Sequence, residues 1–534
     1  MRRIVVCALL LLLLLPARAQ DRVYVITDRQ AYLSGEEVFC SLFCADENGR
    51  PNGFSAVAYL ELVSAEGTAA EAKIGLMDGR GAGSFRIPAS TPTGKYRLMA
   101  YSARSAAVPE VCRILSIYNL YNSARVKDGV TLVPGDEYKP VFAPDLSEGV
   151  RLSVPARLRR GQAATLLVDG VSKPALLTVS VFHEDGLEEA DGITLASFQK
   201  KVSAPRGNRP AEYEGEIIYA TVEGEGTTAI LSTAGDPSLV FLGKSDEKGR
   251  IRFFTGNIYG DRELVCEVLS EEGKPGHISI QSPFTHPEAG PLPSLVLSPA
   301  QRDALIGRKA ALVSESAALD TLLSFLPKRE DLFLEGITPL RYHLDDYNRF
   351  ASVQEVCVEI IRELQFSRIR DSWTLRMVVT DGNNKRNYLQ DNILVMMDGV
   401  VLPDHGMLAD FDAMLLEDVF LYRQPVVLGG RSYNGVVNFV TKNNYVTSLR
   451  FPDNVRVVDF KGVSYPVACP GTVLHPEKDL RQLLFWHPAL EIKAGEALHI
   501  PLSIPSYEGR FRAVAEGWTK DGTPVRAECF FVVY

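Results

Sequence analysis

Residues 393–442 read ILVMMDGVVLPDHGMLADFDAMLLEDVFLYRQPVVLGGRSYNGVVNFVTK, and the rest of the chain is read outward from them. Apolar residues flank Asp398-Gly399, a pair that favours the tight turn of a β-hairpin. MLADFDAMLL then reads as a loop and a short helix, DVFLYR as a strand, and a Gly-rich turn leads into a last strand, GVVNFVTK. Such strands need a helix to cover a face, and one is written just upstream. Ser352 and Glu355 form an S-x-x-E capping box, and Val353, Val356, Cys357, Ile360, Ile361 and Leu364 follow at helical spacing. With WTLRMVV as a further strand, residues 347–445 are expected to form an α+β domain, a sheet carrying one or two helices.

On both sides the periodicity is two, not 3.6. Residues 20–120 hold VYVITDRQAYLSGEEVFCSLFCADENGRP, SFRIP and GKYRLMAYS, strands separated by turns at Ser34-Gly35 and Thr91-Pro92-Thr93-Gly94. Residues 121–208 repeat the pattern in GVRLSVPARLRRGQAATLLVDG and KPALLTVSVFHEDGLEE. Residues 209–290 do so in EGEIIYATVEGEG, TAILSTAG, SLVFLGKSDEKGRIRFFTG and RELVCEVLS. A Pro-rich linker and helices occupy 291–346, and 446–534 closes on the strand CFFVVY. The expected class is mainly β and multidomain: tandem Ig-like β-sandwiches, the α+β domain and a C-terminal β-sandwich.

The first twenty residues, MRRIVVCALLLLLLLPARAQ, combine Arg2 and Arg3, an apolar run from Ile4 to Leu15, and Ala17-Arg18-Ala19. This is the pattern of a secretory signal peptide over 1–19, cleaved between Ala19 and Gln20, with an apolar run too short to span a bilayer. Cys7 lies inside that run and no cysteine follows the cleavage site, so a lipoprotein signal is not expected. Losing three arginines and no acids takes the formal charge from −9 to −12, a balance that argues against nucleic acid and anionic membrane surfaces as partners. No other apolar run approaches a membrane helix. Cys40, Cys44, Cys112, Cys266, Cys357, Cys469 and Cys529 contain no C-x-x-C. Cys40 and Cys44, four apart on one strand face, stand about 13 Å apart and are read as buried thiols rather than a disulfide.

Several motifs resemble known families. Thr27-Asp28-Arg29, Tyr32 and Gly35-Glu36 resemble the TDRxxYxxGE opening of a macroglobulin-type β-sandwich, in which arginine and acid brace a strand–turn–strand corner. Residues 121–208 are similar to a second, poorer copy. The thioester G-C-G-E-Q of true macroglobulins is absent, so covalent protease trapping is not implied. Ser245 to Arg250, followed by Ile251-Arg252-Phe253, is similar to the T-D-x-x-G-x-F hairpin of carboxypeptidase-regulatory-like domains. Leu394 to Val400, Glu417 to Leu421 and Gly435 to Lys442 resemble the LxxxDGV, IExIEVL and GVINIxTK segments of the plug domain of TonB-dependent receptors. A transporter of that family continues into a large barrel, whereas 92 residues follow Lys442 here, so the resemblance implies a plug-like module without its pore. The order of modules is similar to that of a class of Gram-negative surface or periplasmic proteins.

No reaction is legible. The histidines stand singly, with no H-E-x-x-H, no G-x-S-x-G elbow and no nucleophilic-cysteine signature. Gly243-Lys244-Ser245 ends like a phosphate-binding loop, but Ser238 stands where the first glycine is needed and a strand follows. Asp398, Asp404, His405, Asp410 and Asp412 form the densest polar cluster. Its spacing lacks the oxygen pattern of a calcium loop, and hairpin turn, loop and helix-end charges account for it. Trp486 and Trp518 read equally as carbohydrate platforms or as sandwich core. The expectation is an exported, non-enzymatic envelope protein, periplasmic or outer-membrane-associated, without catalytic, cofactor or metal sites. In it the sandwiches space and the plug-like module docks another envelope protein. The alternative is an accessory of a TonB-dependent uptake system that works in trans with a separate barrel or binds a glycan.

Overall fold

Stretches that alternate with period two become strands, and the chain is mainly β and multidomain. The structure is a computed structural model that describes residues 21–46, 48–105, 110–134, 149–187, 191–200, 210–235, 238–269, 276–312, 337–369, 372–380, 387–428, 431–466 and 479–534. The signal-peptide reading, Ala19 and Gln20 included, falls outside those residues, as do Cys469 and residues 313–336 of the expected linker and helices.

The first sandwich closes within its own stretch. Arg22–Thr27, Glu37–Ala45 and Arg80–Arg86 make one sheet, and Gly67–Met77 passes from it into the other, beside Val57–Ser64, Gly94–Tyr101, Glu110–Tyr118 and Ala31–Leu33. Val25, Leu42, Leu60, Ile74, Leu98 and Ile117 fill the space between them, with Cys40 and Cys44 among them as free thiols. The Thr27–Glu36 corner is a buried brace. Asp28 accepts hydrogen bonds from the Tyr32 hydroxyl at 2.8 Å and the Phe39 N–H at 3.0 Å, and pairs with Arg29 at 3.0 Å. The Glu36 carboxylate accepts the Leu33 N–H at 2.8 Å.

The sandwiches expected separately at 121–208 and 446–534 are one. Arg151–Ser153, Ala163–Asp169 and Leu498–Ser503 form a three-stranded sheet. Arg157–Leu158, Pro524–Val533, Gly509–Thr519, Ala175–His183 and Leu483–Ile492 form a five-stranded one. The core mixes both stretches, with Leu166, Leu177 and Val179 against Ile500, Phe511 and Phe531. ALLTVSVFH is buried on both faces, and alternation cannot say which distant strand completes its sheet.

The same holds for the third sandwich. Six strands between Ile217–Val222 and Ile278–Ile280 are completed by Val455–Phe460, which pairs with Arg262–Leu269. The turn from Ser245 to Arg250 is not the hairpin its sequence resembles, because Val240–Lys244 and Arg250–Phe254 lie in opposite sheets. Asp246 holds it by accepting the N–H groups of Lys248 and Arg250 at 2.9 and 3.0 Å.

The α+β unit is therefore nested in the third sandwich, and the third in the second. Its strands begin at Leu340–His343, before the expected boundary at 347. The helix Val353–Glu359 starts at the Ser352/Glu355 capping box, and Leu364 already belongs to the next strand. WTLRMVV joins a separate three-stranded sheet, while Leu394–Met397, Leu416–Tyr422 and Val436–Thr441 share a five-stranded one. In the linker, Leu295–Leu297 pairs in parallel with Val130–Leu132, and helical residues 302–312 seat the buried Arg308 on Asp185 at 2.7 Å.

The first and second sandwiches meet through aromatic side chains. Phe39 packs on Trp486 at 5.3 Å, Phe43 edge-on to Trp518 at 5.0 Å, and Tyr24 on Phe198 at 5.1 Å. Both tryptophans are buried, so neither offers a carbohydrate platform. The third sandwich rests on the first through the Lys73–Glu216 ion pair at 2.6 Å and the parallel pairing of Val463–Ser464 with Lys73 and Ile74.

Candidate functional site

The stretch Ile393–Lys442 is interior on both faces of its sheet. Leu394, Met396, Phe420, Tyr422 and Val436 pack against Ile230, Val240, Leu242 and Leu269 of the third sandwich. Their alternates Val395, Met397, Val419, Leu421, Val437 and Phe439 pack against Val353, Val356 and Cys357 of the helix. Two buried faces explain the near-continuous apolar runs. The expected docking surface on this sheet is covered by the chain itself.

The polar cluster separates into local tasks. Asp398 and Gly399 have φ of 47° and 79°, the double positive φ of a type I′ turn. The Asp398 carboxylate accepts the N–H and O–H of Thr441 at 2.6 and 2.7 Å and the N–H of Val446 at 3.2 Å. Burial raises its pKa, and these hydrogen bonds oppose the rise. Asp404 accepts the Gly406 N–H at 2.8 Å, Asp412 accepts the Met414 N–H at 2.9 Å, and Asp410 ends the short helix Gly406–Ala409. His405 Nδ1 accepts the Leu375 N–H at 3.0 Å, and burial lowers its pKa, which keeps the ring neutral. These residues make turns and caps rather than one site.

An open cleft of about 910 Å³ lies where the third sandwich, the last turn of the α+β unit and the returning chain meet. Tyr259 and Tyr465 stack at 5.6 Å with an interplanar angle of 27°. Asp261, Arg262, Glu263, Asp459 and Lys461 line the rest, beside Asn444. Lys461 stands 3.7 Å from Asp261, the two side chains 44% and 71% exposed, and the Gly462 N–H donates to Asp261 at 3.3 Å. The cleft thus offers an aromatic wall and both signs of charge to a polar ligand. Sequence reading missed it because its walls come from positions 234–263 and 444–465, brought together only by the pairing of Val455–Phe460 with Arg262–Leu269.

A smaller cavity of about 130 Å³ between the first two sandwiches is lined by Asp28, Arg29, Arg113, Asp191, Arg512 and Glu516. Its charges bind one another: Arg113 reaches Glu516 at 3.2 Å, and the Tyr24 hydroxyl donates to Glu516 at 2.8 Å. That arrangement is a joint rather than a receptor.

No family model matches the chain, and no curated protein does. Among solved structures, Salmonella α-2-macroglobulin reacted with methylamine is 10% identical over 96% of this chain and 39% of its own, with a TM-score of 0.25. Dimeric latent PorU from Porphyromonas gingivalis is 13% identical over 49% of this chain and 33% of its own, with a TM-score of 0.18. The adhesin InvE from Yersinia pseudotuberculosis is 12% identical over 49% of this chain and 60% of its own, with a TM-score of 0.14. The chain spans about two-fifths of the length of the macroglobulin it matches. At such scores no domain arrangement, ligand or partner carries across. Among the described residues no helix is long and apolar enough to cross a membrane.

Proposed function

We propose that this chain is an exported, non-enzymatic scaffold of a Gram-negative envelope that holds a periplasmic or outer-membrane protein in the cleft between Tyr259, Asp261, Lys461 and Tyr465. One observation carries the reading. Both faces of the plug-like sheet are occupied internally, so docking moves from that sheet to the open cleft beside it. Acidic and basic side chains alternating around a tyrosine pair suit an extended peptide segment of mixed charge, whose backbone and side chains find donors and acceptors together. The plug-like resemblance of 347–445 then reflects a module reused as an internal wedge.

A second reading, glycan capture for an uptake system, draws support from Tyr465, which is 37% exposed and presents an aromatic ring at the rim. A photo-cross-linking amino acid placed at Tyr465 in cells separates the two. A discrete protein adduct that is lost with Lys461→Glu supports the scaffold. No protein adduct, with tyrosine fluorescence quenched by oligosaccharide, replaces it with the glycan reading.

A further inference from the structure

Glu61 and Glu71 stand directly opposite each other on neighbouring antiparallel strands of the first sandwich. Like charges in that relation destabilise a strand pair, and Glu61 is fully buried. Among the described residues no lysine or arginine lies within ion-pair distance of either; the basic group that does is His286. That histidine belongs to the connector leaving the third sandwich for the α+β unit. Glu61 holds the connector by accepting the Thr285 N–H at 2.9 Å and the His286 N–H at 3.0 Å. The Tyr101 hydroxyl donates to the same carboxylate at 2.6 Å, and the Thr68 hydroxyl at 3.2 Å.

The imidazole is placed differently from a hydrogen-bonded cation. His286 Nδ1 lies 3.5 Å from Glu61 Oε2 and 3.2 Å from Glu71 Oε1. A charge-assisted N–H···O bond is about 2.7–2.9 Å. Two ligand atoms each about 2.0–2.1 Å from a tetrahedral ion stand about 3.3 Å apart. The three ligand atoms all lie within 4.8 Å of one another, one nitrogen and two carboxylate oxygens, with the imidazole side chain 57% exposed on its outer side.

We propose that Glu61, Glu71 and His286 Nδ1 bind one divalent transition-metal ion of the zinc type, with a fourth position open to solvent. The two carboxylates neutralise the ion, which removes the repulsion between them. Because the glutamates belong to the first sandwich and the histidine to the connector, the ion staples the connector that leaves the third sandwich to the platform beneath it. This site goes beyond the cleft and stands whether or not the cleft binds a partner.

The test uses the full mature chain stripped with chelator, titrated with Zn²⁺ by calorimetry and with Co²⁺ by visible absorption. One ion per chain is expected, with the intense bands of four-coordinate cobalt and a raised melting temperature. His286→Ala and Glu71→Gln, both at partly exposed positions, are expected to keep cooperative unfolding while weakening Zn²⁺ at least tenfold and abolishing the metal-dependent melting shift. His499→Ala, at an exposed histidine elsewhere, is expected to bind as the parent does. Equal binding by parent, His286→Ala and Glu71→Gln overturns the assignment. So does Ca²⁺ binding in preference to Zn²⁺, which points to a hard-cation site of oxygen ligands alone.

Discussion

Two of the junctions in this molecule bury a glutamate in opposite ways. Between the first and second sandwiches, Glu516 has Arg113 at 3.2 Å, Arg526 at 3.7 Å, the Tyr24 hydroxyl at 2.8 Å and the Leu195 N–H at 2.9 Å. Between the third sandwich and the α+β unit, Glu267 faces an apolar seam near Ile230, and its Oε2 makes no hydrogen bond. Burial pushes up the pKa of both. For Glu516, Arg113 and Arg526 reverse the effect and leave it below the ordinary value, whereas Glu267 rises to about 7 with only Arg431 opposing. The first junction is locked by its ions. The second is held by packing and carries a charge it does not accommodate.

The largest effect is expected from breaking the first junction by removing residues 483–534. That deletes four of the second sandwich's strands, and Glu516 with them. It leaves Leu177, Val179 and Val181 without a core. The remaining second-sandwich strands are expected to be degraded by limited proteolysis, while residues 20–120, whose sheets close locally, survive as a protected fragment. A well-folded isolated 121–208 would break the comparison.

Next in size is Glu516→Gln, which leaves the buried Arg113 with only Asp191, 3.9 Å away, as an acidic partner. Breaking a buried pair costs about 3–5 kcal/mol, read from the denaturant midpoint. The parent should show the matching pH dependence. With the folded pKa depressed, the stabilisation is complete above the ordinary glutamate range and is lost as pH falls through the folded value. Glu516→Gln should flatten that acid limb.

Gly399→Ala tests the second junction. Gly399 sits at φ 79°, and an added Cβ would lie 2.9 Å from Ser238 Cα and 2.3 Å from its Cβ, where the turn enters the third sandwich. The left-handed backbone alone costs a non-glycine residue about 1–2 kcal/mol. The clash is with backbone, so the expected loss is about 2–3 kcal/mol, with faster hydrogen exchange along Leu394–Met397. An unchanged midpoint would show that the turn does not key the α+β unit to its neighbour.

Local features of these junctions were legible and their pairing was not. The Ser352/Glu355 box, the Asp398-Gly399 turn and the Thr27–Glu36 brace depend on residues a few positions apart, and each is built as its residue types require. Nothing near Ala175–His183 indicates that its partner is Leu483–Ile492, because a strand apolar on both faces accepts any neighbour of matching pattern. The candidate sites failed the same way. Glu61 and His286 are 225 positions apart, and the cleft exists only once Val455–Phe460 has paired. The polar cluster that did stand together in sequence, Asp398 to Asp412, proved to be turns and caps.

Glu267→Gln gives the smallest effect and the sharpest contrast, because it should stabilise. The unfolded chain releases the Glu267 proton near the ordinary glutamate value of about 4.3, whereas the folded chain keeps it until about pH 7. Between those values the native state binds more protons than the unfolded state, so stability falls as pH rises and levels off above the folded pKa. The full separation sets a ceiling of about 4 kcal/mol. Glutamine keeps the shape of the protonated acid and does not ionise, so the variant should match the parent at pH 4 and exceed it by about 2 kcal/mol at pH 8. The two stability curves should therefore diverge through the interval in which Glu516→Gln no longer changes slope. If they run parallel, Glu267 is already neutralised by Arg431, and the second junction is locked by charge as the first is.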